Sequence, residues 1–327
     1  AFGIHIPMVL LNSPEQGGIL NLPAMLVVLF IALLLILGVK LSARFNLVMV
    51  LVKLSVIALF ITIACSHINP ANWHPFLPYH WHGVMAGAAL VFFAYIGFDA
   101  VSTSAEEVLH PQKSLPIGII VSLIICTILY IVVTAILTGV VPYAQLNVSS
   151  PISLALTDIG FRFAAALVDV GAIAGLTTVM LVMYYGLTRI CLAMSRDNLL
   201  PPVVAKVNDK THTPIRIIAI SGLINALLAA FVPMTELAEL VNIGTLSAFV
   251  IVCAGVIVLR HTKPDMPRPF KIAFGPVIPT LGILFCLYLM ASLPLLTWYR
   301  FFIWMAIGLL IYFYYGRHRS LLNRFPS

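Results

Sequence analysis

The stretch FFAYIGFDAVSTSAEEV, residues 92–108, places a glycine, an aspartate and three small hydroxyl side chains inside an otherwise apolar run. It forms most of an apolar segment over 84–108, long enough to cross a bilayer, whose midpoint falls near Ile96–Gly97. Gly97 and the hydroxyls of Ser102, Thr103 and Ser104 flank Asp99. An ionisable residue near the bilayer midplane is costly and points to function. Glycine at that depth permits local unwinding. A helix broken there exposes carbonyls at the end of its first half and N–H groups at the start of its second. Asp99 then has two readings. It contacts a ligand, or it caps the second half-helix. Both require the break. Glu106 and Glu107, beside His110 and Lys113, read as a solvated turn or a gate pair.

Working outward, the chain is 61% hydrophobic and only 9% charged, against about 25% charged in a soluble domain. The composition calls for an all-α integral membrane protein. Nine apolar segments, near 22–40, 45–66, 84–108, 116–139, 163–189, 214–232, 237–259, 274–293 and 298–316, approach or exceed the roughly 20 residues that a crossing helix needs. No strand-like alternation runs through them, and at such lengths in lipid a helix satisfies its own backbone groups.

The basic residues orient these spans. Alternate loops collect 15 of the 18 Lys and Arg residues, from Lys40 and Arg44 to Arg317, Arg319 and Arg324. The opposite loops hold Arg162 and Arg300. The C-terminus is therefore expected in the cytoplasm and the start of this chain outside. A net charge of +7 with no clustered basic face excludes a nucleic-acid partner. The five cysteines lie singly in or near apolar spans, with no CxxC spacing, and read as packing residues. The chain starts at Ala1 with no charged leader, which reads as the start of a fragment or a trimmed product. His74, His80 and His82 fall in the aromatic, proline-rich loop HINPANWHPFLPYHWH, which reads as interfacial and not as a metal site.

Lys53 stands inside the second span, in LVMVLVKLSVIALF. With a start near residue 45 it lies roughly 12 Å from the inner face, and Asp99 lies roughly 13 Å deep by the same rise. The two charges share a layer. Desolvation disfavours the charged ammonium, so a lysine at this depth can exchange a proton during a transport cycle. The alternative is snorkelling to the interface. The fifth span carries Gly171, Gly175, Thr177 and Thr178. Small residues allow close helix approach, and hydroxyls bond across helices. Thr177 and Thr178 either pack or bond Lys53 and line a cavity. Met183 either floors a pocket or fills a gap.

Three stretches resemble one family. FFAYIGFDAVSTSAEEVLHPQKSLPIGI (92–119) is similar to the unwound sixth helix and following loop of the amino acid–polyamine–organocation superfamily. LTRICLAMSRDNLLP (187–201) resembles the signature after its eighth helix, and LVNIGTLSAFVIVCAGVIVLR (240–260) its tenth. The resemblance is greatest to bacterial permeases related to the cationic amino acid transporters. It implies a LeuT-like fold of inverted five-helix repeats, with the nine spans matching family helices four to twelve. On that reading 1–21 is an outer loop and 22–66 holds the last two helices of an incomplete first repeat. The loop 67–83 leads to a second repeat over 84–259. A cytoplasmic loop (260–273), two further helices (274–316) and a cytoplasmic tail (317–327) follow. The family's first three helices have no counterpart here, so a truncated chain, inactive alone, is expected.

The resemblance also implies proton-coupled, sodium-independent amino acid transport across the plasma membrane by alternating access, without a cofactor or metal. Its partners would be an amino acid, a proton and membrane lipid. Lys53 matches the lysine that replaces a sodium ion, with Thr177 and Thr178 as the hydroxyl pair beside it. The carbonyls of Phe93, Ala94, Tyr95 and Ile96, next to Gly97, would meet the substrate amine. Phe93, Ile96, Asp99 and Met183 match side-chain pocket positions. Asn198 stands where the signature has glycine, and asparagine tolerates a left-handed backbone. An enzyme would need a nucleophile–base pair or a metal motif within the spans, and neither HExxH nor GxSxG occurs. A non-transporting remnant or a channel-like protein is the alternative.

Overall fold

The computed structural model describes residues 7–38, 43–98, 110–201, 206–208, 211, 213–268, 270 and 274–319. Among these the regular structure is helical. The main helices are α1 (Leu22–Ile36), α2 (Ala43–Ala64), α3 (His80–Val91), α4 (Pro111–Val140) and α5 (Pro151–Asp158). They continue with α6 (Arg162–Arg196), α7 (Ile215–Phe231), α8 (Met234–Thr262), α9 (Val277–Ala291) and α10 (Leu295–Ile311). Each of the nine expected spans overlaps one of them. Among the described residues five stretches are long and apolar enough to cross a membrane: Leu47–His67, Pro111–Val140, Arg162–Arg196, Met234–Thr262 and Leu295–Gly316. Leu22–Ile36, Ile215–Phe231 and Val277–Ala291 are apolar but shorter.

Proline marks the starts of these helices. Pro111 and Pro151 open α4 and α5, and Pro214, Pro233, Pro276 and Pro294 stand just ahead of α7, α8, α9 and α10. A first-turn N–H has no intrahelical partner, so its loss costs nothing there. α1 adds a side-chain cap: Asn21 Oδ1 accepts from the Ala24 N–H at 3.1 Å. Along α4, Ile117, Ile120, Val121, Ile124, Ile128 and Ile131 form an exposed apolar spiral. Their spacing follows the helical period, as a lipid-facing surface requires.

The chain divides into two compact units. The first comprises Ala1–Val39, Val84–Lys113 and Tyr184–Ser327. In it α1 packs along α7, and α8 packs along α9 and α10. Its core joins Ala89, Ile243, Leu246, Met290, Leu293 and Phe301. The buried Tyr184 hydroxyl donates to the Ile218 carbonyl at 2.5 Å and ties α6 to α7. Arg300 pairs with Glu236 at 2.8 Å where α8 and α10 begin. Glu15 joins that cluster: a hydrogen bond with Glu236, and then the charge of Glu236, lift its carboxyl above the ordinary glutamate range.

The second unit comprises Lys40–Gly83 and Ser114–Met183. Its core is built from Phe60, Ala64, Ile136, Val141, Ala155, Leu156, Ala164, Ala165 and Val168. The loop read as a plain interfacial segment also serves as a helix cap. Asn72 Nδ2 donates to the Gly139 carbonyl at 2.8 Å and the Val140 carbonyl at 3.3 Å, and Trp73 Nε1 donates to Ala135 at 3.2 Å. The last carbonyls of a helix lack internal partners, and here the loop supplies them.

Candidate functional site

In the first unit α3 ends at Val91 and tightens to a 3-10 turn over Phe92–Tyr95. The Ile96 N–H donates back to the Phe93 carbonyl at 3.2 Å. Ile96 is extended, with φ −64° and ψ 133°, and Gly97 follows at φ 124°. An L side chain seldom tolerates that angle. The apolar span is therefore interrupted where the glycine stands. Phe93 and Ala94 are exposed, while Tyr95, Ile96 and Gly97 are half-buried. The expected ligand set loses some simplicity, because one of its four carbonyls, that of Phe93, already accepts the Ile96 N–H. A carbonyl has a second lone pair for another donor. Asp99 lies outside the described residues, as do Ser102, Thr103, Ser104, Glu106 and Glu107.

Helix α8 flanks the break. The Phe249 ring meets Phe92 edge-on at 6.2 Å and Phe98 at 5.3 Å. Two turns earlier, the wholly buried Asn242 donates through Nδ2 to the carbonyls of Ala89 and Leu90 at 3.0 and 3.2 Å. The sequence reading passed over Asn242. Its signal was a lone amide in the apolar run LVNIGTL, but the partner is 153 residues away in the chain.

In the second unit Lys53 projects from α2, half-buried. Its stem crosses Gly175 of α6, where an added Cβ would stand 2.9 Å from Lys53 Cε. One turn on, a Cβ at Gly171 would stand 2.6 Å from Val56 Cγ2. The order of these pairs, 53 with 175 and 56 with 171, makes the two helices antiparallel. Gly171 and Gly175 form a G-x-x-x-G spacing that brings the backbones close. Thr178 is buried and donates to the Gly175 carbonyl at 2.7 Å; Thr177 donates to Ile173 at 2.8 Å. The hydroxyl protons thus go to their own helix, and the lone pairs that remain can only accept. Thr178 shares the Gly175 face. Met183 is half-buried near the end of this unit. Among the described residues Lys53 makes no hydrogen bond or ion pair, and no group of three or more His, Cys, Asp and Glu could hold a metal.

Residues 11–313 match the amino acid permease family. The chain is 52% identical over 327 residues to the branched-chain amino acid permease BcaP of Bacillus subtilis (strain 168), covering 98% of this chain and 70% of that protein. It is 47% identical over 325 residues to the methylthioribose transporter of the same organism, covering 99% and 70%. It is also 36% identical over 258 residues to the vacuolar cationic amino acid transporter 4 of Arabidopsis thaliana, covering 77% and 43%.

Proposed function

The chain belongs to the amino acid permease family, a family of membrane transporters and not of enzymes, and from that premise we propose that it carries apolar amino acids across the cell membrane, coupled to protons and independent of sodium. The observation that carries this reading is the interrupted span at Ile96–Gly97. Carbonyls at the end of a half-helix form a concentrated negative site for a substrate ammonium. The carbonyls of Phe93, Ala94, Tyr95 and Ile96 play that part, with Phe93, Ile96 and Asp99 as side-chain contacts. Lys53 carries the coupled proton, and Thr177 and Thr178 offer lone pairs to its ammonium when it turns toward them. Alternating access moves substrate and proton together.

The finer architecture of this proposal is nine spans in a LeuT-like inverted-repeat arrangement, with the C-terminus in the cytoplasm. Its supports are the helix that overlaps each expected span, the break and the distribution of basic residues. The 52% identity to a branched-chain amino acid permease favours leucine, isoleucine and valine as substrates. The 47% identity to a methylthioribose transporter favours a second reading, a neutral thioether sugar. Such a substrate has no ammonium for the carbonyls to meet.

Competition separates the two. Proteoliposomes bearing the protein, with any upstream segment of its full-length product, are expected to take up radiolabelled leucine, with unlabelled valine and isoleucine competing and methylthioribose not. Uptake of radiolabelled methylthioribose, with none of leucine, would select the second reading.

A further inference from the structure

We propose that Asn242 is a positioning residue for the substrate segment, fastening the end of α3 to α8 so that the backbone at 92–97 is held in place for a ligand. This rests on the reading of that segment as the amine site. Asn242 is fully buried, and its two N–H groups go to the carbonyls of Ala89 and Leu90. Those carbonyls belong to the last turn of α3, where the helix gives way to the 3-10 turn and donors from the next turn run short. A primary amide is the neutral side chain suited to this task, since it offers two donors from one nitrogen.

The other end of the amide sharpens the argument. Asn242 Oδ1 is buried and has no partner among the described residues. An unpaired buried acceptor is destabilising. At a position that only filled space, leucine would pack as well without that cost. The two donated bonds are what the asparagine supplies in return.

The anchor is itself fixed. Ile243 and Leu246 next to it are fully buried against Met290, Leu293 and Phe301 of the α9–α10 region. Phe249, two turns on, touches Phe92 ahead of the break and Phe98 beyond it. Helix α8 therefore grips the interrupted segment on both sides of Gly97, with Asn242 as its polar contact on the approach side.

Two variants test this, Asn242→Leu, which removes both donors, and Asn242→Ser, which keeps one. Hydrogen–deuterium exchange and leucine uptake are measured on each. The leucine variant is expected to exchange about tenfold faster over 92–98, with no change around Phe60 in the second unit. Its KM for leucine rises about tenfold while the maximal rate stays within about twofold. The serine variant falls between, and decides the comparison if the leucine variant does not fold. Unchanged exchange over 92–98 overturns the inference. So does faster exchange across the whole chain, or a lost maximal rate at constant KM. If the parent protein moves no leucine, the transport reading fails, and the exchange comparison still decides the role of Asn242.

Discussion

Gly175 leaves the space through which Lys53 crosses α6. A methyl there meets the flexible end of a lysine, which can swing aside. A methyl at Gly171 meets the branched Val56, with Cγ2 at 2.6 Å and Cβ and Cγ1 at 3.2 Å. A β-branched side chain on a helix has little freedom to turn away. Two neighbouring glycines therefore give different outcomes. Gly171→Ala overpacks the α2–α6 contact and costs about 1–3 kcal/mol, visible as a lower thermal midpoint in detergent. Gly175→Ala keeps that midpoint within about two degrees but displaces the ammonium, and proton-driven uptake falls by about fivefold or more. Equal losses of stability in both variants would deny Lys53 its separate role. Lys53 itself was legible in the sequence, because a charge in the middle of LVMVLVKLSVIALF is costly at that depth. Its trough was not. Nothing in the order of residues says that position 53 faces position 175, or that Thr177 and Thr178 donate their hydroxyl protons to their own helix.

At the scale of elements, helix ends carry most of the local information. The α6 signature runs to Arg196 and stops at Asn198, whose φ is 59°. The Leu199 N–H then reaches back to the Met194 carbonyl at 2.9 Å, closing the end in the manner of a left-handed cap. The sequence expectation that asparagine would accept that backbone is what the structure shows. Asn198→Gly is accordingly expected to leave the thermal midpoint unchanged or slightly raised. Asn198→Val, β-branched and unsuited to a positive φ, should lower stability by about 1–2 kcal/mol in the same measurement. Equal midpoints for the two would show that the cap does not govern this end. The extent of α6 was underestimated: 163–189 was expected, and the helix spans Arg162–Arg196, because hydropathy registers the apolar stretch and not the polar turns beyond it. The end of α8 was invisible to sequence. There Arg268 folds back to donate to the carbonyls of Leu259, Lys263, Pro264 and Met266. The departure from helix in the third span was the opposite case, since Gly97 signalled it and its φ of 124° lies outside the helical range.

For the whole molecule, hydropathy and charge were enough to read an all-helical membrane protein, and three quoted stretches were enough to read its family. Hydropathy locates apolar stretches well, yet it cannot weigh a 15-residue helix such as Leu22–Ile36 against a 30-residue one such as Pro111–Val140. Each of the two units has its own buried cluster. The proposed amine site lies in the first unit and the proposed proton carrier in the second. Coupling in this account therefore requires Lys53 as well as the backbone at Ile96–Gly97.

The most direct measurement of that claim is leucine uptake into proteoliposomes, with and without an inward proton gradient, for the parent protein and for Lys53→Met. The account predicts that the gradient accelerates uptake by the parent severalfold, and that the methionine variant exchanges leucine but no longer responds to the gradient. A variant that keeps the full gradient response would contradict it.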